Sequence, residues 1–196
     1  VGEAVAFYES GALVTGTLVE PAALQGISVE SAFSLAEDGH LLKAVISRDF
    51  EMEGITCSAG AWAHFHPNGK LESCQLVHDQ KVQGLPAKGG TRITRDASGR
   101  LTELTLAKPT TLRGLPAMAN RTVKLFEDGS AQSFDLAEGR TVLGVPCNGN
   151  STIQFHQNGK LALVRLGAPY QQGKATFANQ SIWFDRQGVA HPVDWD

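Results

Sequence analysis

Apolar and polar residues alternate in short stretches that recur along the whole chain. Apolar side chains occupy every second position, as in Val123 and Leu125 or Ile153 and Phe155. This alternation is typical of a strand with one buried face. No stretch places apolar residues at helical spacing. The pattern therefore predicts an all-β protein with almost no helix.

Turn glycines set the interval between these stretches. Residues that favour turns, such as Asn68, precede most of these glycines, and glycine adopts the positive φ that such turns need. A three-residue loop with a glycine bulge places Phe65 opposite Leu71, whereas a two-residue loop would place it opposite Glu72. We therefore predict a tandem array of about seven 30-residue β-hairpin repeats. The repeats are centred on Gly11, Gly39, Gly69, Gly99, Gly129, Gly159 and Gly188.

A second glycine series keeps the same period, at Gly54, Gly84, Gly114 and Gly144. The segment around Gly84-Leu85-Pro86 predicts a short third extended stretch that ends at the proline, at an edge or a corner, because proline cannot donate to a strand ladder. One hairpin cannot bury its apolar face alone, so neighbouring repeats must stack. The sequence thus predicts a single β-repeat domain over residues 1–196, as an elongated antiparallel meander or a β-solenoid, with frayed end repeats that Trp183 and Trp195 seal.

Composition and charge narrow the classes of function. With 42 % hydrophobic and 19 % charged residues the chain is expected to fold. A net charge of −3 excludes the broad basic surface of a nucleic-acid-binding protein. No apolar run approaches the roughly 18 residues of a membrane-spanning helix.

Enzyme and cofactor motifs are missing, so no cofactor is expected. Val1 in place of a methionine favours an exported or periplasmic protein, and unpaired end strands are compatible with a monomer or a weak dimer.

The three cysteines occupy positions that small or apolar residues fill in other repeats. Cys57 and Cys147 share a position with Ala87 and Ala117, and Cys74 shares one with residues such as Leu104. We predict that all three cysteines are buried packing residues. A Cys57–Cys74 disulfide is the alternative, and a reactive thiol is disfavoured.

The candidate binding residues are Trp62, His64, His66 and Arg92. The first three alternate along one strand and are expected on its outward face, with Arg92 beside them from the next repeat. Exposed aromatic rings next to hydrogen-bonding groups are common in binding sites. In the alternative interpretation His64 and His66, about 6.6 Å apart along the strand, bind a metal with Asp96, and Trp62, His64, His66 and Asp96 form the site of a metal-dependent protein or enzyme. Ordinary surface histidines are the simpler interpretation.

Two repeats carry a motif that resembles a known family. Phe65-His66-Pro67-Asn68-Gly69-Lys70-Leu71 and its counterpart in residues 155–161 are similar to the core of the bacterial variants of MORN repeats, and more distantly to carbohydrate-binding hairpin arrays. MORN units are shorter and contain Gly-x-Trp or Gly-x-Tyr elements that are missing here. The resemblance implies a hairpin-repeat fold and a binding or scaffolding role, and it transfers no functional residue. We therefore expect a non-enzymatic repeat protein that presents an extended β surface to a protein, glycan or envelope partner.

Overall fold

A computed structural model describes residues 5–193 of the chain. Within this range the chain forms 25 β-strands and no helix, which confirms the all-β prediction. It divides into two compact units, Val1–Leu104 (unit 1) and Thr105–Asp196 (unit 2). None of the described residues belongs to a helix long and apolar enough to cross a membrane.

The strands are short and follow one another closely in the chain. The first are β1 Ala6–Phe7, β2 Leu13–Thr17, β3 Ala22–Leu24, β4 Ile27–Leu35, β5 Leu41–Ile46, β6 Phe50–Met52, β7 Ile55–Cys57, β8 Trp62–Phe65, β9 Leu71–Gln75, β10 Gln80–Val82, β11 Leu85–Ala87, β12 Arg92–Arg95 and β13 Leu101–Thr105. The others are β14 Thr110–Leu112, β15 Leu115–Ala117, β16 Thr122–Leu125, β17 Ala131–Leu136, β18 Arg140–Val142, β19 Val145–Cys147, β20 Ser151–Phe155, β21 Leu161–Arg165, β22 Tyr170–Gln172, β23 Ala175–Phe177, β24 Ser181–Phe184 and β25 Ala190–Pro192.

The predicted hairpins form around the first glycine series, and we call them the long hairpins. In the repeat of Gly69, the amide of His66 donates to the carbonyl of Lys70 at 2.9 Å and the amide of Gly69 donates to the carbonyl of His66 at 2.8 Å. Gly69 has φ 79°, and Phe65 lies opposite Leu71 next to a β-bulge. This geometry confirms the three-residue loop with a glycine bulge.

Successive long hairpins pair with one another edge to edge. In unit 1, β5 pairs with β8, β8 with β9 and β9 with β12, always antiparallel. In unit 2, β17, β20, β21, β24 and β25 pair in that order, again antiparallel. Of the two predicted alternatives, the structure forms the antiparallel meander and not the solenoid.

The second glycine series forms hairpins of its own, which corrects the prediction of a single extended stretch ending at the proline. In the repeat of Gly84, β10 and β11 are joined by the two-residue turn Gln83-Gly84, with φ of 46° and 89°. Both values belong to a type I′ turn. Pro86 lies in the middle of β11, opposite Lys81. Because residue pairs in such a ladder alternate, Pro86 occupies a non-hydrogen-bonded pair and its missing N–H removes no bond.

These short hairpins are attached to the next long hairpin by a glutamine side chain. Gln83 Nε2 donates to the carbonyl of Gly99 at 2.8 Å, and the amide of Leu101 donates to Gln83 Oε1 at 3.0 Å. The same pair of bonds joins Gln25 to Gly39 and Leu41, and Gln172 to Gly188 and Ala190. The glutamine side chain thus takes the place of a backbone partner for one carbonyl and one amide of the long hairpin, such as those of Gly99 and Leu101.

The repeated apolar positions form the core, as the alternation predicts. Phe65 is 3 % exposed, and Leu71 and Leu76 are fully buried. Phe7, which holds the position of Phe65 in the first repeat, is 63 % exposed, as expected for a frayed end repeat. Arg95 holds the same position in the fourth repeat and is nevertheless 8 % exposed.

Cys57 and Cys74 form a disulfide, so the prediction that all three cysteines are packing residues is wrong for this pair. Both are buried, as predicted. The third cysteine, Cys147, is free and buried, and burial raises the pKa of its thiol to about 11. A thiol that stays protonated is a poor nucleophile. The periodic pattern identified burial at each position but not which buried positions face each other.

Candidate functional site

The outer face of unit 1 carries the residues predicted as a binding site. Trp62 and His64 lie on β8, and the neighbouring strand β5 places Lys43 directly opposite His64. Arg92 is the first residue of β12, and its Nη2 lies 3.1 Å from Nδ1 of His64. We call Lys43, Trp62, His64 and Arg92 the Trp62 strip.

Trp62 provides the exposed aromatic ring of the strip. Its side chain is 45 % exposed, so it points outward as predicted. The Nζ of Lys43 lies 5.3 Å from the centre of its ring, within the range of a cation–π contact. The ring of His64 is edge-on to Trp62, with 6.4 Å between ring centres. The strip therefore combines an accessible aromatic ring with cations.

His64 lies among cations. Burial lowers the pKa of its imidazole below the ordinary value of 6.5, and the positive charges of Arg92 and Lys43 lower it further, against the opposing effect of Glu72. The imidazole is therefore mostly neutral at pH 7. Its Nδ1 accepts a hydrogen bond from Arg92, which also donates to the hydroxyl of Ser73.

We expect Arg92→Gln to raise the pKa of His64 toward 6.5, because it removes a neighbouring positive charge. Proton NMR titration of the imidazole resonances measures this value in the wild type and the variant. Arg100→Gln serves as a control charge change outside the strip. If the pKa of His64 is unchanged or lower in Arg92→Gln, the result contradicts the contact between Arg92 and His64.

The same shift has a consequence for stability. A histidine whose pKa is lower in the folded state binds more protons when unfolded, so protonation favours unfolding. The unfolding free energy should therefore fall as the pH drops below about 6.5, until the lowered folded-state pKa is passed. His64→Gln should remove this part of the acid dependence in denaturant titrations.

His66 lies in the turn after β8 rather than with the Trp62 strip. Its Nε2 is 3.0 Å from the carbonyl oxygen of Arg95 in the next long hairpin. Asn68 Nδ2 and Lys70 Nζ donate to the carbonyls two and three residues farther along that hairpin, at 2.7 and 2.8 Å. The same three contacts recur from His156, Asn158 and Lys160 to the carbonyls of Phe184, Arg186 and Gln187. The motif shared by residues 65–71 and 155–161 therefore joins the turns of successive hairpins.

Asp96, the third residue of the metal hypothesis, is a turn acceptor. It accepts hydrogen bonds from the hydroxyl and amide of Ser98 and from the amide of Arg100, at 2.6 to 2.9 Å. The side-chain bond from Ser98 is the main reason why the pKa of Asp96 is lowered. Among residues 5–193, no three histidine, cysteine or acidic side chains are grouped so that they could hold a metal ion.

A second exposed tryptophan lies on the outer face of unit 2. Trp183 on β24 is 42 % exposed, and its ring stacks on that of His191, which lies opposite on β25, with 4.1 Å between ring centres. Trp183 was predicted to seal the last repeat, but the alternation of β24 places it outward, while Ile182 and Phe184 are buried. Trp195, the other residue of that prediction, lies outside the described residues.

Unit 2 also contains two adjoining open grooves, which the sequence did not reveal. One has a volume of about 670 Å³ and the other about 460 Å³, and Gln132 and Gln154 line both. Phe126 and Arg186 border the larger groove, and Asp135 borders the smaller. Their lining residues are spread over three repeats and look like ordinary surface positions when each repeat is considered alone.

Comparison with models of known protein families finds none that matches this chain, and comparison with curated proteins finds no match either. The outer face of each unit carries an exposed tryptophan, Trp62 in unit 1 and Trp183 in unit 2.

Proposed function

We propose that the protein is a non-enzymatic repeat protein that presents the outer face of its hairpins to a protein, glycan or envelope partner. The Trp62 strip is the proposed contact surface. The observation that carries this proposal is the exposure of Trp62, which is 45 % exposed and lies opposite the half-buried Val45 on a face that also carries Lys43 and His64. Large aromatic rings are enriched among the residues that dominate binding energy.

The repeat architecture itself does not require an aromatic residue at this position. The equivalent positions hold Ala32, Arg92, Thr122, Thr152 and Ser181. These residues support the same hairpin with small or polar side chains. Trp62 therefore exposes apolar surface without a structural need for it, which supports a role in binding.

The charge of the strip indicates which class of partner it can bind. Lys43 contacts Trp62, and Arg92 contacts the imidazole of His64, which also experiences the negative charge of Glu72, so two cations face one carboxylate around the strip. A partner with both apolar surface and negative charge complements this arrangement. The disulfide supports an exported location, because disulfides persist in oxidising compartments. We therefore propose an anionic extracellular or envelope partner for the strip.

Binding of defined anionic probes tests the proposal. The full chain is titrated with polygalacturonate, with vesicles of phosphatidylglycerol and phosphatidylcholine, and with a glutamate-rich peptide. We expect saturable binding of at least one probe, weakened about tenfold or more by Trp62→Ala. Trp183→Ala is the matched control, because it removes a similarly exposed ring from the other unit, and it should leave this binding unchanged.

Three outcomes would overturn the proposal. The first is that no probe binds, and the second is that Trp62→Ala binds as tightly as the wild type. The third is stoichiometric zinc in the purified protein that is lost in His64→Ala with His66→Ala, which would favour the metal-dependent alternative. Elemental analysis of the wild type and the double variant measures it.

A further inference from the structure

We propose that the adjoining grooves of unit 2 form a second binding site, which takes a carboxylate-bearing oligosaccharide. This site lies in a different unit from the Trp62 strip and uses none of its residues. The volumes of about 670 and 460 Å³ fall in the range of small-molecule sites. The inference therefore goes beyond the proposed function and does not depend on it.

A β-bulge shapes the floor of the grooves. Lys124 lies opposite Ser133 but Leu125 lies opposite Ala131, so Gln132 is the extra residue on β17. Gln132 is consequently exposed next to Ser133 instead of turning inward. On the adjacent strand β20, Gln154 lies directly opposite Ser133. The same bulge recurs in the repeats of Gly69, Gly99 and Gly159, and in this repeat its extra residue is a glutamine that lines the same grooves as Gln154.

Three glutamine amides in the grooves have no partner within the described protein, whereas the amide of Asn158, which also lines the larger groove, donates to the carbonyl of Arg186. Gln132, Gln154 and Gln157 make no side-chain hydrogen bond to any residue in the range 5–193. Gln83 and Gln172, in contrast, use both ends of their amides to join hairpins. Each unpaired amide offers two N–H donors and a carbonyl acceptor. Neighbouring hydroxyl groups of a sugar ring both donate and accept, so they match this set.

The charge of the grooves favours a carboxylate on the sugar. Arg121, Lys124 and Arg186 line them together with a single acidic residue, Asp135. Asp135 is already engaged, because its carboxylate lies 3.4 Å from Arg121 Nε and accepts a hydrogen bond from Thr152 at 2.7 Å. The guanidinium of Arg186 makes no ion pair with a described residue. Arginine binds carboxylates with paired hydrogen bonds.

The construction of the site disfavours a peptide. Strand β17 pairs with β16 and β20, and β20 also pairs with β21, so no free strand edge is present in the grooves to extend with a peptide backbone. The side chains of the grooves are mainly amides, hydroxyls and charges. Phe126 supplies a half-buried ring at the border, against which the apolar face of a sugar can pack.

Calorimetric titration of the full chain with tetragalacturonic acid and with its methyl ester tests the inference. We expect saturable binding of the acid, and at least about tenfold weaker binding of the ester, which keeps the ring hydroxyls but lacks the charge. Gln154→Ala should weaken binding about fivefold and Arg186→Gln about tenfold. Gln75→Ala, which removes an exposed glutamine from unit 1, should change it less than twofold.

The outcomes separate this site from the Trp62 strip. The inference fails if the acid does not bind, if Gln154→Ala and Arg186→Gln bind it as the wild type does, or if tetraglutamate binds equally well through the same two residues. Loss of tetragalacturonate binding in Trp62→Ala, with normal binding in the groove variants, would assign the sugar to the strip and also overturn the inference. Arg186 is exposed and Gln154 is half-buried, and circular dichroism checks that both variants fold.

Discussion

Loss of the Cys57–Cys74 disulfide is expected to lower the unfolding free energy by about 3 kcal/mol, because the bond restricts the unfolded chain over a loop of 17 residues. The variant Cys57→Ala removes the bond and places alanine where Ala87 and Ala117 are fully buried in other repeats. Urea denaturation followed by circular dichroism measures the change. Reduction of the wild type with dithiothreitol should produce a similar decrease.

The chain provides a matched control for this experiment. Cys147 occupies the position of Cys57 in another repeat and is a free, buried thiol. Cys147→Ala therefore removes the same atoms without breaking a disulfide, and we expect it to cost about 1 kcal/mol or less. If Cys57→Ala and Cys147→Ala destabilised the protein equally, the disulfide would not contribute to its stability.

Replacement of Glu53 by glutamine is expected to destabilise unit 1 by about 2 kcal/mol, because it leaves the guanidinium of Arg95 buried without a carboxylate. Arg95 is 8 % exposed, donates to Glu53 and donates to the carbonyl of Gly99 at 2.7 Å. Glu53 is 35 % exposed, so water partly screens the pair and the effect stays below that of a fully buried ion pair. Glutamine is itself a native residue at this turn position, as Gln25 and Gln83 show.

A substitution of the other partner, Arg95→Leu, distinguishes the contribution of the ion pair from that of the surrounding residues. Arg95 holds the core position that Leu125 fills in the next repeat. Arg95→Leu should therefore leave the unfolding free energy within about 1 kcal/mol of the wild type or raise it. In the double variant, Glu53→Gln should cost less than 0.5 kcal/mol, about the limit of the measurement. Equal costs of Glu53→Gln in both backgrounds would show that the ion pair contributes nothing.

The contact between Glu53 and Arg95 recurs in unit 2 with different chemistry. Arg113 and Phe155 occupy the corresponding positions, and the guanidinium of Arg113 lies 4.9 Å from the centre of the phenyl ring. Each pair joins a short-hairpin turn to a core position 42 residues later. The repeat thus keeps a spatial contact while it exchanges an ion pair for a cation–π interaction.

Local signals were sufficient to predict part of the candidate site. The outward position of Trp62 follows from strand alternation, and Arg92 lies next to His64 because the equivalent strand follows one period later. His66 was placed with them by the same alternation, but the turn after Phe65 directs its ring to the carbonyl of Arg95. The groove glutamines carry no local signal at all, because their proximity arises from a bulge and from pairing between repeats.

The sequence by itself determined the hairpins, their period, the buried positions and the absence of helix from residues 5–193, because φ preferences and side-chain alternation act between neighbouring residues. Only the tertiary structure decided the Cys57–Cys74 bond, the bond from Gln83 to Gly99 and the pairing of Arg95 with Glu53, which join residues 16 to 42 positions apart. Such contacts depend on how one hairpin lies against the next. A periodic pattern gives equivalent positions in every repeat the same description. It therefore cannot specify which two buried or exposed side chains meet.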